Sequence, residues 1–213
     1  MGFGDVYKRQ LKTNGSVVSW GSNGTGGNSS SVASSLNSGV KDIIPAYYAV
    51  AALKDDGSVV AWGDATVGGS MSSPVNAASS LTSGVKKIVS NFSAFAALKS
   101  DGSVITWGST SSGGDSSSVS SDLSSGVIDV IASNGAFKAL KSDGSVVGWG
   151  SASNGSAGTA SSGVKKVIPA SNSFAAIKDD GSVVVWSPRS VYGDGSLVTQ
   201  VTQIGSDLSL IHI

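Results

Sequence analysis

Apolar runs recur along the chain at a nearly constant distance, separated by polar stretches rich in serine and glycine. The clearest copy is Ala94 to Gly108, A-F-A-A-L-K-S-D-G-S-V-I-T-W-G, in which two apolar runs flank Asp101-Gly102. Asp-Gly between apolar runs signals a hairpin, because a type I′ turn needs positive φ at both central residues. The dipeptide returns as Asp56-Gly57, Asp143-Gly144 and Asp180-Gly181, and the first copy has Asn14-Gly15. A two-residue turn predicts that Ser100 faces Ser103, Lys99 faces Val104, Leu98 faces Ile105, Ala97 faces Thr106 and Ala96 faces Trp107. Side chains alternate across a strand. Leu98, Ala96, Ile105 and Trp107 then share one face, and Phe95, Ala97, Val104 and Thr106 the other. Both faces are largely apolar, so both must be covered, which is what stacked blades provide.

The copies agree position by position. One site reads Leu11, Leu53, Leu98, Leu140 and Ile177; another reads Trp20, Trp62, Trp107, Trp149 and Trp186, with Trp-to-Trp spacings of 42, 45, 42 and 37 residues. A period near 40 belongs to propellers and solenoids. Each full copy opens on a Gly-Val step (Gly39-Val40, Gly84-Val85, Gly126-Val127, Gly163-Val164) and a short apolar run such as Val85–Val89, which predicts a third strand. The connections are too polar for a fourth. Ser118–Leu123 predicts a helical turn with Val119 and Leu123 on one side, and Val32 and Leu36 repeat that spacing. Ser196–Ile204 alternates well enough for one more strand.

The fold class expected is all-β: a β-propeller of tandem three-stranded blades of about 42 residues, forming an incomplete arc, with a closed five-bladed ring as the alternative. The array runs over 11–205 as a partial repeat, 11–38, and repeats 39–83, 84–125, 126–162 and 163–205. Residues 1–10 and 206–213 match nothing in the repeat and look like translated sequencing-adapter read-through of the kind seen in metagenomic assemblies. They are expected to be a non-native leader and tail, leaving the array as a fragment of a longer repeat protein.

The unit G-V-x-x-I followed by A-F-A-A-L-K-x-D-G-S-V-x-x-W-G resembles the repeat of the regulator of chromosome condensation family, over Leu11 to Trp186. The resemblance implies propeller blades, and the short period is closer to bacterial members with three-stranded blades. The family's Gly-His before the Leu strand is absent here, where Ser93-Ala94 or Asn172-Ser173 stand, and its Asn-x-x-Gly-Gln-Leu-Gly after Trp-Gly gives way to stretches such as Gly113-Gly114-Asp115. No matched residue carries over the founding member's guanine-nucleotide exchange.

Composition narrows the chemistry. Among 213 residues, 13% are charged and the formal net charge is zero. With Arg only at Arg9 and Arg189 and no basic run, the chain lacks the footprint of a nucleic-acid binder. Absence of cysteine excludes disulfides and thiolate chemistry. No apolar run is long enough to span a membrane, and a secreted or cell-surface setting suits the low charge and Ser/Gly connections. The only histidine, His212, falls in the tail, so a Ser-His-Asp triad is not expected. Asp55-Asp56 and Asp179-Asp180 are read as turn chemistry, since the D-D-G-S sequence is no calcium loop. No catalytic residue, metal site or cofactor is expected.

The expected role is a protein-binding or scaffold module. A carbohydrate-binding propeller is the alternative, favoured if the tryptophan rings are exposed on one rim. The turns before each hairpin should share a rim, and Tyr47, Tyr48, Asn91, Phe92, Asn134 and Asn172 on them are the candidate binding residues. The five tryptophans and Gly15, Gly57, Gly102, Gly144 and Gly181 are read as structural repeat positions. Lys138 stands where the other full copies have Ala51, Ala96 and Ala175. In the expected register it faces Trp149 and lies over that ring, or reaches the blade edge with its stem buried.

Overall fold

A computed structural model describes residues 8–72, 77–187 and 194–198. The first sheet is a hairpin of β1 (Lys8–Leu11) and β2 (Val17–Trp20). Three three-stranded antiparallel sheets follow: β3 (Val40–Pro45), β4 (Ala49–Lys54) and β5 (Val59–Gly63); β6 (Val85–Ser90), β7 (Ala94–Lys99) and β8 (Val104–Gly108); and β9 (Val127–Ala132), β10 (Ala136–Lys141) and β11 (Val146–Gly150). The last sheet has β12 (Val164–Pro169), β13 (Phe174–Lys178), β14 (Val183–Trp186) and an added outer strand, β15 (Asp194–Val198). Part of the strand expected at 196–204, the tail 206–213 with His212, and residues 1–7 lie outside the described residues. β3, β6, β9 and β12 touch one another in succession, so the first strand of each blade lies innermost.

The hairpins turn through three residues, not two. Lys99 N–H donates to the Ser103 carbonyl (2.9 Å), and Gly102 N–H donates to the Lys99 carbonyl (3.1 Å). Gly102 has φ +80°. This is the three-residue loop that ends on a glycine in the left-handed region. Asp101 Oδ1 holds it, accepting from the Ser103 N–H (2.9 Å) and Oγ–H (2.6 Å). The Ser103 hydroxyl, then its N–H, hold the Asp101 carboxyl below the usual range. Asp56, Asp143 and Asp180 do the same with Ser58, Ser145 and Ser182.

The longer loop shifts the expected register by one residue. Leu98 pairs with Val104, Ala97 with Ile105, Ala96 with Thr106 and Phe95 with Trp107. Phe95, Ala97, Ile105 and Trp107 therefore share one face, with the Phe95 and Trp107 rings stacked at 5.0 Å and 9°. Ala94, Ala96, Leu98 and Val104 form the other. Each aromatic face packs on the small apolar face of the preceding blade: Phe95 and Trp107 join Ala49, Ala51, Leu53 and Val59, while Ala96, Leu98 and Val104 receive Phe137 and Trp149. The indoles bond across the same junctions. Trp62, Trp107 and Trp149 Nε1 donate to the carbonyls of Gly26, Gly68 and Gly113 at 2.8–3.1 Å.

Trp62, Trp107, Trp149 and Trp186 are 1%, 0%, 3% and 2% exposed, as expected of core residues, but Trp20 is 46% exposed. Among the described residues no blade seals the first blade's aromatic face. The expected capping turns are short 3₁₀ segments, Ser30–Leu36 and Ser117–Val119, with Leu36 and Leu123 buried and Val32 and Val119 packed beside them.

Hairpin tips also join neighbours through the backbone. Val40, Val85, Val127 and Val164 donate their N–H to the carbonyls of Gly15, Gly57, Gly102 and Gly144 at 2.9–3.0 Å. A Cβ on Gly102 would lie 2.9 Å from Gly126 N, on top of the cost of positive φ. Gly102→Val is expected to lower stability by about 2 kcal/mol or more in urea unfolding. A loss below about 0.5 kcal/mol would show that the tip needs no glycine.

Candidate functional site

Each first strand ends in a rim loop, and the four loops converge. They line a groove of about 680 Å³ that includes Pro45, Tyr47, Phe92, Asn134, Pro169 and Ser171. One main-chain bond between each loop and the next sets their spacing. Tyr47 N–H donates to the Phe92 carbonyl (3.0 Å), Phe92 N–H to the Asn134 carbonyl (3.2 Å), and Asn134 N–H to the Ser171 carbonyl (2.9 Å). Tyr47, Phe92, Asn134 and Ser171 are thus equivalent positions on successive blades. Backbone bonding has no side-chain signature, so this ladder was not visible in the sequence.

The six candidate residues occupy different situations. Tyr47 and Phe92 line the groove and are 56% and 54% exposed. Their rings meet edge-on at 6.1 Å and 72°. Tyr48 buttresses Tyr47 edge-on at 4.4 Å and 80°. Together they form an aromatic cluster on one side of the opening. On the other side Asn172 Oδ1 accepts from Asn134 Nδ2 (3.1 Å) and Asn154 Nδ2 (2.6 Å), giving a carboxamide cluster in which Asn172 is exposed and the other two are half-buried. Asn154 was not anticipated; it reaches the rim from the connection after β11. Asn91 reaches the groove wall, but its carboxamide is engaged in the loop. Its Oδ1 accepts from Ser93 and Ala94 N–H, and its Nδ2 donates to the Ser112 carbonyl (2.7 Å). Among the described residues no Asp, Glu, Lys, Arg or His lines the groove.

Lys138 lies elsewhere than expected. With the register shifted it pairs with Gly148, not Trp149, and extends from the opposite face into the junction with the last blade. Its side chain is fully buried. The ammonium donates to the carbonyls of Ser156 (3.0 Å), Ala157 (3.2 Å) and Gly158 (2.6 Å). The ring it covers is Trp186, with the centroid 4.5 Å away. Among the described residues Trp186 Nε1 is buried without a hydrogen-bond partner, unlike the indoles of the three preceding blades. Burial pushes the Lys138 ammonium down to about 7, while the three carbonyls favour its charged form. Gly148 makes room: a Cβ there would stand 2.5 Å from Lys138 Nζ and 2.3 Å from the Ser156 carbonyl oxygen.

The sequence matches no protein-family model and no curated protein. The structure has clear relatives. The structure of Kap60 bound to yeast RCC1 (Prp20) is similar with a TM-score of 0.53 and 17% identity, over 84% of this chain and 54% of that one. The fold is an RCC1-type β-propeller. Human WBSCR16 matches with a TM-score of 0.54 and 17% identity, over 85% of this chain and 59% of that one. The ectodomain of the receptor kinase CR4 from Physcomitrella patens gives 0.53 and 15%, over 88% and 51%. The chain thus spans between half and three-fifths of the length of these three structures. At such identities the likeness concerns the fold, and the side chains of the rim groove belong to this chain's own sequence. Among the described residues no helix is long and apolar enough to cross a membrane.

Proposed function

We propose that this propeller is a non-catalytic protein-binding module, and that the rim groove is where it engages a peptide segment of its partner. One observation carries the reading. Tyr47 and Phe92 are large apolar side chains held more than half exposed, at the mouth of a groove whose backbone is tied down on every blade. Rigid aromatic anchors beside adaptable amides, here Asn134 and Asn172, are the residue types that dominate protein interfaces. The groove's lack of ionised side chains favours an uncharged segment. Yeast RCC1, similar in fold, is itself seen bound to a protein, Kap60. The carbohydrate reading rested on exposed tryptophans, and four of the five are in the core.

The test is selection of peptides from a random displayed library on the wild-type chain, with a glycan array in parallel. Tyr47→Ala and Phe92→Ala should each weaken the selected peptides about thirtyfold, the size of an interface hot spot. Both should leave the melting temperature unchanged, because surface substitutions stay within about 0.5 kcal/mol. Peptides that bind the double variant undiminished would remove the groove as the site. Glycan binding lost in the same variants would move the reading to carbohydrate.

A further inference from the structure

The chemistry of the rim groove selects among the conformations a bound segment can take; the selection rests on the peptide-binding reading proposed above. A strand added to a sheet edge needs unpaired main-chain N–H and C=O groups on its host. The rim already uses its own. Tyr47, Phe92 and Asn134 N–H serve the ladder from loop to loop. The N–H groups one residue earlier, at Ala46, Asn91 and Ser133, close the turns onto the Ala49, Ala94 and Ala136 carbonyls at 2.9–3.0 Å. An amphipathic helix needs apolar anchors spread along its groove, one for each turn it lays down. Here the large apolar side chains, Tyr47, Tyr48 and Phe92, gather on blades two and three, while blades four and five supply Asn134, Ser171 and Asn172. An acidic or phosphorylated motif needs arginine or lysine, and among the described residues neither lines the groove.

A polyproline II segment meets none of these obstacles. Its backbone has no internal hydrogen bonds and asks for no ladder, and each proline carries a carbonyl but no N–H. It needs aromatic surface for its rings and side-chain donors for its carbonyls. The rim has both. Tyr47 and Phe92 meet at 72° with centroids 6.1 Å apart, so the two rings wall an apolar corner, and Tyr48 backs Tyr47. In the carboxamide cluster Asn172 Oδ1 accepts two bonds, from Asn134 and Asn154, which leaves Asn172 Nδ2 as the donor; among the described residues that nitrogen has no acceptor. Asn134 Nδ2 keeps a second N–H beyond the one it gives to Asn172.

We infer that the partner's segment is a proline-containing stretch in the polyproline II conformation. A proline ring seats against Tyr47 and Phe92, and the segment's carbonyls accept from Asn134 and Asn172 Nδ2. The lining also includes Ser90, Ala132 and Ser133, small side chains that let a backbone come close. Because the conformation is largely formed before binding, little ordering entropy opposes the contact.

The test uses the 213-residue chain and two displayed peptide libraries of equal length. One carries proline at every third position, matching the roughly three residues per turn of the conformation, and is otherwise random. The other is random with proline left out. Binders should come from the first. Replacing the seated proline of a selected peptide by alanine should weaken it about tenfold. Asn172→Asp keeps Oδ1 as the acceptor for Asn134 and Asn154 but puts an oxygen where the donating nitrogen was, and should also weaken these peptides about tenfold. Binders from the proline-free library that are weakened by Tyr47→Ala and Phe92→Ala would overturn this inference and keep the groove as the peptide site. Proline peptides indifferent to Asn172→Asp would overturn it as well, since their carbonyls would then be served elsewhere. Binders of either library indifferent to Tyr47→Ala and Phe92→Ala, or no binders from both, would remove the groove reading and this inference together.

Discussion

Trp107→Ala is expected to lower the unfolding free energy by about 3–5 kcal/mol, the range for emptying a large aromatic from a packed core. The ring is fully buried and stacked on Phe95, and it fills the junction against Ala49, Ala51 and Leu53 of the preceding blade. Its removal also leaves the Gly68 carbonyl without the indole donor. Urea unfolding followed by circular dichroism measures the loss. Trp20→Ala, at the open face, should cost only a small part of it. A loss for Trp107→Ala below about 1 kcal/mol would mean that neighbouring blades do not depend on the aromatic face for their cohesion.

The second large effect concerns Lys138 and has a definite sign in pH. Burial sets its folded value near 7, against an ordinary value of 10.5. Below about pH 7 the ammonium is charged in folded and unfolded chains alike, so the full burial cost is present. Between pH 7 and 10.5 the unfolded chain keeps a proton that the folded chain has released, so stability rises with pH across that window. At about 1.4 kcal/mol per unit, the rise by pH 9 is at most about 3 kcal/mol, and the three carbonyls that favour the charged form reduce it. Lys138→Met should flatten the slope between pH 7 and 9, whatever it does to the absolute stability. Parallel profiles for the two proteins, measured by melting temperature at several pH values, would show that Lys138 keeps its proton throughout.

Much of the blade was legible because its signals are local and repeated. The Gly-Val step, the Leu site and the Trp-Gly step recur at fixed offsets, and each meets the same environment in every full blade. The register was not, for a reason contained in four residues. Asp101-Gly102 alone reads as a two-residue turn, but Ser103 offers Asp101 both an N–H and a hydroxyl, which brings Ser100 into the loop. A slip of one residue moves side chains to the opposite face. That is why a two-residue turn sets Lys138 against Trp149, whereas the three-residue turn carries it to Trp186. Gly148 was the available clue: at that site the other copies have Ser19, Ala61, Thr106 and Val185, and only the blade with an inward lysine has no side chain opposite it. On the rim, Tyr47 and Phe92 could be picked out as large groups on loops. The engagement of Asn91 and the approach of Asn154 depend on connections whose sequences differ from blade to blade.

The ladder of main-chain bonds along the rim separates two tasks that most binding loops must combine. Spacing of the loops is fixed by N–H and carbonyl groups that every residue except proline supplies, so the side chains at 47, 92, 134 and 171 are released from holding shape. The chain already uses this freedom by placing Tyr, Phe, Asn and Ser at the four equivalent positions. These positions are consequently interchangeable lettering on a constant frame. Recognition can be rewritten there one blade at a time, and a library randomised at those four residues would vary the message while leaving the scaffold that presents it untouched.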